Sequence, residues 1–221
     1  GALPAGALFL VFNIYNRIDI LILEHFKGSA AVGIYGLAYK IHDTLVLGAA
    51  FLMNAMFPLF SQKFSQGLRE RKSLREYYQQ TFDILLVSGT LLLIAIFLAA
   101  PLIVHLLAGN EFKESAVALR ILIFATFVAF FNHLTGYSLI AFGKQKMSLM
   151  IALLALVFNV LANWIFIPLY SFKAAAVITF ATEGLVLIFS TIVVARAIGI
   201  IPKVSNFTRT LKLIFRGEIF R

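Results

Sequence analysis

The residues of this chain best suited to chemistry are charges set inside long apolar runs. Arg17 and Asp19 lie in the stretch NIYNRIDILIL, within an apolar run over 3–26, and Lys40 and Asp43 follow in the next such run, over 31–60. An ionisable side chain at bilayer depth costs at least ~2.5 to 3.5 kcal/mol on insertion scales, so it is normally paired or turned toward an internal cavity. With about 1.5 Å of rise per residue from the outer ends, Arg17 is about 13 Å below position 26 and Lys40 about 13 Å below position 31; Asp43 is about 18 Å down, and Glu183 about 15 Å below position 173. Three helices thus bring charge to one level. At about 100° per residue, Asn13, Asn16 and Arg17 share one face of the first run, and Lys40, Asp43 and Asn54 share one face of the second. These residues are expected to line a polar path through a membrane transporter.

Each has a plainer reading beside it. Arg17, Asp19, Lys40 and Asp43 could neutralise one another as contacts between helices, with no ligand. Glu183 has no obvious cation on its own helix, which makes it a candidate proton or ion site. Asp83, one turn into its run, reads as a solvated carboxylate at a helix start. His42 and His105 read as hydrogen-bonded or interfacial. Asn132, His133, Thr135, Tyr137 and Ser138 fit either a cavity lining or interhelical hydrogen bonds, worth on average only ~0.6 kcal/mol each. The i,i+4 pair Asn159 and Asn163 reads as holding helices together.

The elements that must position these groups are membrane spans. Hydrophobic residues make up 61% of the 221-residue chain and charged residues 13%, and the mean hydropathy is +0.94. A soluble domain carries roughly twice that charge. The apolar runs are continuous, which excludes a barrel of alternating strands. The expected fold class is an all-α membrane protein, with spans at about 3–26, 31–60, 81–107, 115–142, 147–167 and 174–195, each long enough for the ~20 residues a crossing needs. The segment 62–80 is polar and basic, read as a surface loop or in-plane helix. Pro101 is expected to kink the third span. The tail over 202–221 sets Phe207, Leu211, Ile214 and Phe215 at helical spacing against Arg209, Lys212 and Arg216, the pattern of a basic amphipathic segment at the interface.

The formal charge of +9 is placed for lipid and not for nucleic acid. Lys63, Arg69, Arg71, Lys72, Arg75, Lys144, Lys146, Arg196 and the tail's cations fall on one side; Lys27, Lys113, Lys173 and, one turn in, Arg120 fall on the other. Positive residues are retained on the cytoplasmic side, so both termini are expected there, in the cytoplasmic (inner) membrane of the cell. Cysteine is absent, which removes disulfides and thiolate metal sites. The chain shows no metal-binding constellation, nucleotide loop, Walker motif or nucleophile with a positioned base, so neither an enzyme nor a cofactor is expected. No signal peptide is visible, and a chain that starts at Gly1 reads as a fragment or a processed piece.

Five stretches carry a resemblance in order and spacing. NRIDILIL, KGSAAVGIYGLAYKI, MFPLFSQKF, APLIVHLLAGNEFKESAVALRIL and FGKQKMSLMIALLALVFNVLANWIFIPLYSFKAAAVIT resemble the C-terminal half of Wzx-type flippases for polysaccharide and O-antigen units. These belong to the multidrug, oligosaccharidyl-lipid and polysaccharide exporter superfamily. The resemblance implies a six-helix lobe, half of a twelve-helix MATE-like transporter, that rocks against an N-terminal six-helix lobe around a midplane site. It implies a lipid-diphosphate-linked oligosaccharide as substrate, flipped from the cytoplasmic to the outer leaflet through a cationic cavity. Its partners would be that missing lobe, membrane lipids and the polysaccharide polymerase machinery.

On the same grounds Arg17 and Lys40 fall where the cavity's charge would sit, while Asp19, Asp43 or Glu183 would balance them or carry a coupling proton. The family usually has Gly in the turn before the last span, where this chain has Ser171-Phe172-Lys173. Three alternatives stay open: a multidrug-type exporter, which would favour an acidic, aromatic-lined cavity; a lipid II flippase relative; and a structural membrane subunit whose charges only pair internally.

Overall fold

In the computed structural model the described residues are Ile14, 17–199 and 201–204. All regular structure among them is helical. In chain order the helices are α1 (Ile18–Ser65), α2 (Arg71–Ala108), α3 (Ser115–Ala141), α4 (Gln145–Tyr170) and α5 (Phe172–Ile198), with 3₁₀ turns at Gly67–Glu70 and Asn110–Phe112. All five helices are long and apolar enough to cross a membrane.

α1 is two limbs. Gly28 takes φ 74° and ψ 179°, a region that glycine alone enters cheaply, and the chain folds back on itself there. Asp19 accordingly reaches Tyr35, and Arg17 reaches Asp43, contacts that only an antiparallel hairpin permits. The first limb is described from its lower part onward; the rest of the run over 3–26, and the tail beyond position 204, lie outside the described residues.

α2 starts ten residues before the expected span, so 71–80, read as part of a loop or in-plane helix, is its first three turns. The guanidiniums of Arg71 and Arg75 there donate to the carbonyls of Ala197 and Ile198 at the C-terminus of α5. Cations at that end satisfy orphan carbonyls and oppose the helix dipole. Gln79 clamps Lys203 by two backbone hydrogen bonds, both 2.9 Å, and also donates to Asp83. Asp83 is fully buried, contrary to its reading as solvated: the longer helix carries it inside the bundle.

α3 is the central helix; α1, α2 and α5 all pack on it, and it is the most buried of the five. The side chains sort into two apolar cores. One joins Leu23, Tyr35, Leu119, Leu122 and Ile167 near one end of the bundle; the other joins Met53, Phe60, Tyr78, Leu134 and Val194 near the opposite end. Between them lies a layer of buried polar groups that includes His42, Thr126, Asn159, Thr182 and Glu183. The outward faces carry bare apolar side chains such as Leu98, Leu106, Leu161 and Leu169, the surface that hydrocarbon solvates.

Candidate functional site

The polar layer opens into a cavity of about 270 Å³ between α1, α3, α4 and α5. Asp43 and His42 enter it from α1, Asn132, His133 and Tyr137 from α3, and Glu183 from α5. Helix periodicity explains the α3 set: positions 129, 132, 133, 136 and 140 repeat at three and four residues and so fall on one face.

Glu183 is buried and accepts 2.6 Å and 2.9 Å hydrogen bonds from the Asn132 amide, at its carboxylate and at its own carbonyl. That leaves Asn132 Oδ1 buried with no hydrogen-bond partner among the described residues. Such an atom costs about 1–3 kcal/mol if nothing meets it. The His42 ring shares a 2.8 Å hydrogen bond with Thr126, as its reading as hydrogen-bonded allows, and it also faces the cavity. His133 Nδ1 lies 2.9 Å from the Ala129 carbonyl, which fixes Nδ1 as the protonated nitrogen and leaves Nε2 for another partner.

The predicted residues separate into three places. Asp43 and Glu183 come together in the cavity wall. Arg17 stands at its edge, 63% exposed, with Nη2 3.2 Å from the Asp43 carboxylate, itself 42% exposed; the guanidinium also lies 5.8 Å from the Tyr39 ring centroid, a cation–π contact. Asn54 accepts a 2.9 Å hydrogen bond from the cavity residue Tyr137. Lys40 is exposed, with no described carboxylate at ion-pair distance.

Asp19 lies elsewhere. It is 2% exposed and accepts hydrogen bonds from the hydroxyls of Tyr35 (2.6 Å) and Thr179 (3.4 Å), knitting both limbs of α1 to α5. Asn13 lies outside the described residues. Asn159 donates to Thr182 and Asn163 to Asn159, tying α4 to α5 as their spacing suggested. Of the open α3 set, Asn132, His133 and Tyr137 reach the cavity, while Ser138 donates to its own helix at Leu134 and Thr135 to Asn132. Ser148 and Ser190 also line the cavity, although no motif or spacing marks them in the sequence.

A bundle of apolar, membrane-length helices enclosing an internal layer of carboxylates, imidazoles and amides defines a polytopic membrane protein with a polar site inside the bilayer. Residues 4–165 match the MatE family, and the chain belongs to that family, whose members are transporters rather than enzymes. The chain is similar to an uncharacterized membrane protein of Methanocaldococcus jannaschii, with 25% identity over 176 residues, 79% of this chain and 33% of the relative. The chain therefore spans about a third of the length of the curated relative it matches. No solved structure matches it.

Proposed function

We propose that this chain forms one lobe of a two-lobe exporter that flips lipid-diphosphate-linked oligosaccharide units across the cell membrane for surface polysaccharide assembly, by alternating access and with both termini on the cytoplasmic side. The observation that carries the reading is the double engagement of Asp43, which lines the internal cavity and also holds the exposed Arg17. Arg17 and Lys40 present cationic donors on the outside of the lobe, where a second lobe would enclose them with cargo. Guanidinium groups meet phosphate oxygens with charge-assisted, often bidentate hydrogen bonds. Asp43 and Glu183, with His42 and His133, form the site for a coupling proton or monovalent cation. Neutralising Asp43 weakens its hold on Arg17, so cation arrival and diphosphate capture become linked.

A second reading has its own support. The cavity inside the lobe is lined by carboxylates, imidazoles and Tyr137, the acidic and aromatic character suited to an organic cation, which favours a multidrug-type exporter. The two readings part on which charges matter. In the full-length protein, Arg17→Ala and Lys40→Ala should abolish surface glycan at unchanged membrane abundance, while an organic-cation exporter should tolerate both and lose efflux in Asp43→Asn and Glu183→Gln. Normal glycan in both alanine variants removes the flippase reading.

A further inference from the structure

α2 continues through a proline, Pro101, in its last turns before Ala108. Proline has no N–H, so it cannot close the hydrogen bond to the carbonyl four positions back, and its ring crowds that oxygen. In α2 the carbonyl four positions back is that of Phe97. Water would satisfy such a group at a soluble helix. Hydrocarbon does not, so its partner has to come from the protein.

The partner comes from the neighbouring helix. Arg120, in the second turn of α3, donates from Nε to the Phe97 carbonyl at 3.1 Å. Its guanidinium carbon lies 5.4 Å from the Phe97 ring centroid. The same ring meets Phe124, one turn further along α3, edge to face with centroids 5.9 Å apart. Two of these contacts hold the side chain of Phe97, and the hydrogen bond holds its backbone. Each partner in that bond carries a cost that the other offsets: the carbonyl lacks its intrahelical donor, and an arginine on an apolar helix is expensive unless its donors are used.

The segment beyond the break is joined to α1. Ala100 and Val104 are buried in the core that includes Tyr35 and Leu119. Past Gly109, the Phe112 ring lies 3.5 Å from the position that a Cβ on Gly33 would take. The outer end of α2 thus braces the second limb of α1, the limb that carries Lys40 and Asp43.

We propose that Arg120 splints the break at Pro101, standing in for the missing N–H, so that the proline forms a fixed elbow and not a hinge. The end of α2 then moves as one piece with the α1 limb it braces. Rocking of two lobes about a central site requires each lobe to keep its shape, and an unsplinted proline near the outer end would let this one flex. The splint serves that purpose whichever cargo the exporter carries.

Amide hydrogen exchange of the full-length protein in detergent micelles, read peptide by peptide, tests this. Loss of Arg120 also takes a charge out of the apolar layer, so melting temperature alone can move either way, and the comparison is made in two backgrounds. Arg120→Leu should speed exchange across 98–108 by about tenfold, the scale of one hydrogen bond to a charged group. After Pro101→Ala, which restores a donor for the Phe97 carbonyl, the same change at Arg120 should speed it by less than about twofold. In Phe97→Leu, which keeps the carbonyl and removes the ring, the effect of Arg120→Leu should persist in full. Equal acceleration with and without Pro101, or none in the wild-type background, overturns the splint. So does an effect that vanishes with the Phe97 ring, because the cation–π contact would then be what matters. Should Arg120→Leu fail to accumulate, rescue of its abundance by Pro101→Ala supports the splint, and no rescue overturns it.

Discussion

Arg17 Nη2 lies 3.2 Å from Oδ2 of Asp43, and that same carboxylate forms part of the cavity wall shared with Glu183. A cation arriving at Asp43 and the guanidinium of Arg17 therefore draw on one negative charge. On the flippase reading, Asp43→Asn should release Arg17, raise affinity for a lipid-diphosphate cargo and uncouple transport from an imposed ion gradient. The pair is 63% and 42% exposed, and such pairs are worth at most ~1 kcal/mol, so the affinity gain should not exceed about fivefold. Proteoliposome transport with and without a gradient reads this out; undiminished gradient dependence in the variant rules out Asp43 as the coupling residue.

Asp19 should behave as a structural residue. Its carboxylate accepts from Tyr35 and Thr179 in a fully buried setting; Thr179 also donates to the Ala175 carbonyl, and Tyr35 has Thr179 Oγ1 at 3.1 Å, so Asp19→Ala removes the short acceptor of one buried hydroxyl and should cost about 1–3 kcal/mol in all. Asp19→Asn keeps one acceptor oxygen and should be milder. Detergent melting curves of the two variants should rank wild type above Asn above Ala, while transport per folded molecule stays near wild type. A stable Asp19→Ala protein that no longer transports would place Asp19 in the translocation machinery after all.

Ser171 carries φ 56° and ψ −142° in the turn between α4 and α5, and it is the non-glycine residue with positive φ among those described. A side chain in that region costs of order 1–3 kcal/mol. Ser171→Gly should relieve it and stabilise the protein by about 1 kcal/mol after the entropy that glycine adds to the unfolded chain. A lowered melting temperature would show that the seryl side chain contributes a contact larger than the strain.

Beyond the end of the second span, Lys63 donates 2.8 Å to Glu70, and that carboxylate raises the lysine above its ordinary 10.5. A folded pKa above the unfolded value gives stability that is fully present below about 10.4 and lost as pH rises through the folded value. The wild-type melting temperature should therefore not vary with pH through this pair from about pH 6 to 9, and Lys63→Gln should lower it by a constant small amount there, with the two curves converging above about pH 10. A wild-type and a variant curve that stay parallel above about pH 10 would mean the pair is screened to nothing in solution.

Helix ends were legible because punctuation residues mark them: Gly28, Gly109 and Gly143 all take positive φ at turns, positions that composition alone suggests. Rotation about the helix axes was not. A span that is apolar nearly all round shows no clear stripe, so the sequence cannot tell that Asp19 turns into the core while Arg17, two residues earlier, turns out. Asp83 reads as solvated from the sequence for a related reason: the polar residues 71–80 look like a loop, yet Arg71, Arg75 and Gln79 are spent on the end of α5 and on Lys203. Those partners lie more than a hundred positions away in the chain. The cavity lining from α3 was half legible, since Asn132, His133 and Tyr137 are polar in an apolar run, whereas nothing local shows that they meet Glu183.

The reversal at Gly28 bears on how the protein is made. With no loop between them, the two limbs of α1 must partition from the translocon as one helical hairpin, and the partner of Arg17 arrives in the same insertion event. A lone arginine leaving that channel would meet lipid at a cost of ~2.5 to 3.5 kcal/mol; beside Asp43 it enters already matched, and biogenesis of the charged helix is thereby tied to the timing of its neighbour.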